Sequence, residues 1–190
     1  MRARSLTPAD LDDEQRAVYD GIASGPRASG PFRVIEEDGS LTGPFFPMLF
    51  APTVGGALAA LGEAIRYDSS LSPRTREIAI LAVAALRRSD YEWYAHERVG
   101  AAIGMSASEL ADLKAGREPP YEADDLDVLR ASRMLARGDR VDDELYARLI
   151  DALGEAGVFE LAVLVGYYTT LAVVMDVFEV SVPRGESTPF

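Results

Sequence analysis

Three side chains in this sequence have the types and the spacing to move protons: Glu77, Glu92 and His96, the last being the only histidine. Glu92, Trp93 and His96 fall at i, i+1 and i+4, so on a helix they share a face. Glu92 can then touch the imidazole, raise its pKa and orient its ring. Glu77 lies in the preceding apolar run, on a stripe with Ile80, Leu81 and Ala84. Burial there pushes a carboxyl pKa upward unless a cation compensates, and Arg74 is the nearest candidate. An acid of shifted pKa beside an imidazole is the minimum equipment for general acid–base chemistry at neutral pH.

Those residues need two helices and a turn to meet. Ser72-Pro73 opens a helix, and Ile78 to Leu86 is apolar on every side, as in a central helix packed all round. Asp90 reads as the cap of the next helix, which stops at Gly104. A tight hairpin over Arg88 to Asp90 would leave Glu77 and His96 offset by about 7 Å along parallel axes. A substrate or water between them is therefore expected rather than a direct hydrogen bond.

The remaining segments are helical as well. Thr7-Pro8 starts a helix to about Ile22, and Thr53 caps another to about Tyr67. Residues 24–44, rich in Gly, Pro and Ser, read as a long surface loop, functional or mobile. The patch Phe45 to Phe50 reads as pocket wall, oligomer contact or hydrophobic plug. Ser106 to Glu109 is a capping box. Further helices follow near 124–136, 142–153 and 158–178. No period-two pattern persists, so the fold class is all-α, roughly seven or eight helices in one domain over 1–190.

Composition narrows the chemistry. A net charge of −12 and a pI near 4.5 argue against nucleic acid and against an anionic membrane surface. With no cysteine, thiolate catalysis, disulfides and zinc–sulfur sites are excluded. Lysine occurs once, at Lys114 before Gly116, which sets Schiff-base chemistry aside. Glu77, Glu92 and His96 match no ligand spacing that points to a metal. The apolar run Leu161 to Met175 is short for a membrane span and reads as a buried helix or an oligomer seam. Tyr167, Tyr168 and Asp176 fall on that helix, where tyrosine hydroxyls ordinarily serve structural hydrogen bonds. The N-terminus lacks the apolar core of a signal peptide, so a cytoplasmic location is expected.

The pattern P-R-x-R-E-I-A-I-L-x-V-A, then Y-E-W-x-x-H, then a glycine–serine helix start, resembles the carboxymuconolactone decarboxylase family, which includes the alkylhydroperoxidase-D-like (AhpD-like) peroxidases. The likeness is close over 71–116 and looser through the C-terminal run ending at Phe178. In the peroxidase branch two cysteines stand where this chain has Ser89 and Glu92. A hydroxyl and a carboxyl cannot follow a thiolate's oxidation ladder, so peroxidase activity is ruled out.

The resemblance implies an AhpD-like helical bundle and a homo-oligomer, trimeric or hexameric. It implies a cofactor-independent lyase acting on a small organic acid, an unsaturated lactone acid or a keto acid. His96, as imidazolium, would deliver the proton after decarboxylation, tuned by Glu92 or Glu77. Arg74, Arg76 or Arg98 would hold the substrate carboxylate, and Tyr91 and Trp93 would line the pocket. An isomerase or cyclase using the same pair, or a non-catalytic small-ligand-binding oligomer, remains open at this stage.

Overall fold

The computed structural model describes residues 2–190. Eight α-helices account for most of them: α1 (Asp13–Ala23), α2 (Phe45–Met48), α3 (Pro52–Glu63), α4 (Pro73–Arg87), α5 (Asp90–Ala102), α6 (Ala107–Lys114), α7 (Ala123–Arg137) and α8 (Asp143–Phe178). No strand forms among the described residues, only an isolated antiparallel bridge between Ile35 and Leu41.

The apolar sequence of α4 puts it at the centre, packed against α5, α6, α7 and α8. Its residues from Glu77 to Ala84 are all buried. Ser72 caps it by accepting from the Thr75 amide, with Pro73 at the first helical position. Arg88, in the left-handed region, closes the helix and turns the chain directly into α5. The capping box of Ser106 and Glu109 starts α6 as its sequence predicts.

Several boundaries differ from expectation. The first helix is two pieces: a 3-10 turn at Pro8–Asp10, then α1, whose cap is Asp12. Asp12 accepts from the Gln15 amide and the Gln15 side chain accepts from the Asp12 amide, a capping box that starts α1. Ala51, not Thr53, precedes α3, because Pro52 is preset for a first helical turn. Ser89, not Asp90, is the N-cap position of α5, and the Asp90 carboxylate instead accepts from the Phe190 amide.

The loop over 24–44 is not a loose surface segment. Phe32, Val34 and Leu41 anchor it in the core, and Thr42 donates to the Arg33 carbonyl. Enough apolar residues sit among its glycines and prolines to pin it down.

The C-terminal apolar run belongs to one long helix, broken at Gly154, whose φ of 70° lies outside helical space. By length and composition α8 meets the measure of a membrane-crossing helix. Its C-terminal half nevertheless divides between two settings: Leu161, Leu164, Tyr168 and Leu171 pack into the core, while Phe159, Val173 and Val177 are exposed. Glu160 ties α8 to the turn before α4 by accepting from Ser69 and Ser70. Arg148 ties it to Asp127 of α7.

Candidate active site

Glu77 of α4 and His96 of α5 are in direct contact, Oε2 to Nδ1 at 2.7 Å, each about 5% exposed. The parallel-rod expectation of an intervening guest is therefore overturned; the two side chains span the axial offset themselves. On its other edge His96 presents Nε2 to Arg66 Nη1 at 3.4 Å. A guanidinium only donates, so Nε2 is the accepting nitrogen and Nδ1 carries the hydrogen that Glu77 accepts. That geometry selects one tautomer of a neutral ring.

Burial pushes the His96 pKa below its ordinary 6.5; Glu77 pulls the other way without prevailing, and the Arg66 charge adds to the drop. The imidazole is thus a neutral base at neutral pH, not the imidazolium expected from sequence. The physical reason is desolvation, which a single carboxylate does not offset.

Glu92 has the opposite fate. It is 2% exposed, and neither carboxyl oxygen has a hydrogen-bond partner. Burial drives its pKa well above the carboxylate range, and the negative charge of Asp176 acts in the same direction. Burial thus favours the protonated, neutral form of Glu92, one helical turn from His96. It does not touch the imidazole; the orienting carboxylate is Glu77.

Both groups line one cavity of about 30 Å³, beside Arg27, Phe32, Arg66, Tyr167 and Tyr168. That space takes a water-sized guest, so a larger one needs the wall to shift. Tyr168 stands edge-on to the His96 ring at 5.1 Å between centroids. Burial raises both tyrosines, Tyr167 to about 12, keeping their hydroxyls protonated. Arg66 sits on a single π-helical turn, Ala64–Asp68, which continues α3. Such turns re-aim side chains that a regular helix would point elsewhere. Burial opposes its charge, but Tyr168, Glu77 and Tyr67 outweigh that and hold Arg66 cationic. Gly62 makes the wall fit: a Cβ there would lie 2.0 Å from the Tyr167 hydroxyl.

Against this geometry, residues 52–131 match the model of the Carboxymuconolactone decarboxylase family. That segment is similar to the family, and it holds Glu77, Glu92 and His96. The chain contains no cysteine, so the redox pair of the peroxidase branch is absent from it.

Solved structures agree on the fold. An uncharacterized peroxidase-related protein from Silicibacter sp. TM1040 superposes with a TM-score of 0.75 at 14% identity, over 97% of this chain and 91% of its own. An uncharacterized peroxidase-related protein from Ralstonia eutropha JMP134, with an alkylhydroperoxidase AhpD core, gives 0.76 at 12%, over 96% and 92%. The debrominase Bmp8, as a cysteine-to-alanine variant in complex with 2,3,4-tribromopyrrole, gives 0.72 at 12%, over 95% and 90%. No curated protein matches the chain.

Among the binding residues expected from sequence, only Tyr91 reaches the cavity, and its hydroxyl is engaged with Thr42 and the Arg33 carbonyl. Arg74 instead clasps Glu109 and Asp125, joining α4 to α6 and α7. Arg98 pairs with Glu186 and stacks on Tyr94. The Arg76 guanidinium donates to the Leu71 carbonyl. Trp93 is fully buried behind the site, against Phe190. Phe45 does line the cavity, whereas Phe46, Met48 and Leu49 are core.

Sequence reasoning missed Arg27 and Arg66 and assigned Tyr167 and Tyr168 only structural hydrogen bonds. A glycine–tyrosine run on an apolar helix was the one signal available; nothing local marks either arginine. Among the described residues no three His, Asp or Glu side chains gather as a metal site.

Proposed function

We propose that this protein is a cofactor-independent enzyme that moves protons on a small unsaturated acid, decarboxylating it or shifting its double bond. One observation carries the reading: a neutral imidazole and a neutral carboxylic acid face one cavity, their pKa values pushed in the directions that base and acid need. The family match over 52–131 supports a small-molecule enzyme in general and decarboxylation as its first instance.

In decarboxylation, Arg66 receives the substrate carboxylate and so releases His96 Nε2. The carbon–carboxylate bond breaks, carbon dioxide leaves, and the electron pair spreads into the conjugated carbonyl. Glu92 then gives its proton to the carbanionic carbon and takes another from solvent water. In the isomerising variant, Nε2 removes a proton from the carbon next to the carboxylate and Glu92 donates one at the far end of the double bond. His96 afterwards loses its proton to solvent water, and Glu92 takes a fresh one from it. The second course uses the base as well as the acid, which is the specific feature that favours it. Tyr167 and Tyr168 supply protonated hydroxyls toward the delocalised charge.

The debrominase neighbour supports the idea that this fold accepts a small ring, and here the chemistry must proceed without sulfur. Incubating unsaturated lactone acids and keto acids in deuterium oxide, followed by NMR, tests the reading. Loss of carbon dioxide with one deuterium gained marks decarboxylation. Deuterium gained with the carboxylate kept marks isomerisation. Turnover that persists unchanged in His96→Ala and Glu92→Gln would refute the assignment.

A further inference from the structure

Arg27 stands between two spaces. Inward it lines the His96 cavity; outward it lines a groove of about 310 Å³ between α1 and α3. Val18, Gly21 and Ile22 form one wall of that groove, and Gly56 and Ala60 the other. All are small or apolar, and a Cβ on Gly21 would meet nothing within 4 Å. The groove is roomy enough for a short hydrocarbon chain or one aromatic ring.

The guanidinium itself is only 3% exposed. It donates to the Ala59 carbonyl at 2.7 Å and lies over the Phe45 ring at 5.7 Å. Its carboxylate partner, Glu63, is 3.6 Å away, beyond hydrogen-bond reach, on a side chain 45% exposed. A buried guanidinium offers five donors, and leaving them unpaired is costly. Glu63 is a loose partner that can swing into water. An incoming carboxylate can take its place without stranding a charge. With a net charge of −12 on the chain, any attraction for an anion must be local, and Arg27 supplies it.

We infer that the α1–α3 groove is an entrance site for an amphipathic acid, whose carboxylate takes Arg27 from Glu63 while its apolar part lies between the helices. Two of the groove's determinants, α1 and Arg27, lie outside the segment that matches the family model. The identity of that acid as a substrate rests on the proposed function; the binding site does not.

The test uses the full chain and three probes: 4-phenylbutanoate, 4-phenylbutanol and acetate, with affinities read by calorimetry. The expected order is 4-phenylbutanoate well ahead of both others. Arg27→Gln and Gly21→Leu should each weaken it at least tenfold, the first by removing the charge, the second by filling the groove. Gly21 faces open space on a helix, so Gly21→Leu keeps the test decisive if Arg27→Gln does not fold. Glu92→Gln should leave the affinity unchanged. Equal binding of the alcohol, or affinity unmoved in both groove variants, would overturn the inference. Binding that follows this order in a protein without turnover would sink the enzymatic reading and leave the entrance site standing.

Discussion

Glu77 accepts a hydrogen bond from His96 Nδ1 at 2.7 Å across the α4–α5 interface, leaving the Nε2 lone pair to accept from Arg66. The contact fixes both the tautomer and the direction of the base. An amide at Glu77 can offer its own hydrogen to Nδ1 and so invert the tautomer. Glu77→Gln should therefore slow deuterium uptake by an unsaturated acid about 10²- to 10⁴-fold, the usual worth of a positioned base. Exchange measured by NMR, with circular dichroism to confirm the helices, checks this.

Glu92 makes stability depend on pH in a definite sense. Its folded-state pKa is raised, so between 4.5 and that raised value the folded protein holds a proton the unfolded chain has lost. This contribution is fully present below 4.5 and is lost as pH rises through the folded value, at up to about 1.4 kcal/mol per pH unit. Chemical denaturation of Glu92→Gln at several pH values should show that this slope has gone. An unchanged slope would mean the carboxyl is ionised in the folded state.

Gly62 marks how closely α3 approaches α8. A Cβ there would meet the Tyr167 hydroxyl at 2.0 Å and the Arg27 guanidinium at 3.1 Å. Gly62→Ala should cost about 1–3 kcal/mol by overpacking and should abolish turnover by pushing Tyr167 through the cavity. Thermal melting and the deuterium assay together separate the two effects.

Arg74 provides the contrasting case. Its ion pairs with Glu109 and Asp125 are partly exposed, with the Arg74 side chain 38% accessible, so solvent screens them. Arg74→Gln should lose at most about 1 kcal/mol of stability and leave turnover within twofold of the parent. A large loss of activity would return Arg74 to the site.

The elements around the site were legible in the sequence because local rules decide them. The all-apolar run of α4 and the Ser72 and Ser106 caps all act within a few residues. The placement of Glu92 and His96 on one face follows from helical period alone. What failed was tertiary. Arg74 and Arg98 look like anion binders in sequence, yet acidic side chains from α6, α7 and the C-terminal segment occupy them. Arg27 and Arg66 enter the cavity from a short 3-10 turn, Pro26–Ser29, and a π-helical turn, whose directions the apolar periodicity does not encode. The charge state of His96 was misjudged for a related reason. Sequence shows its neighbours but not how completely water is removed from it.

The single histidine allows the central claim to be read directly. Nitrogen-15 NMR of His96 through a pH titration should show a neutral ring, protonated at Nδ1, that titrates below 6.5. Its contribution to stability should be complete above 6.5 and fade as pH falls through the folded value. Glu77→Gln should lower that value further, because the carboxylate is what holds it up. An imidazole that titrates above 6.5, or one protonated at Nε2 in the neutral form, would contradict the account.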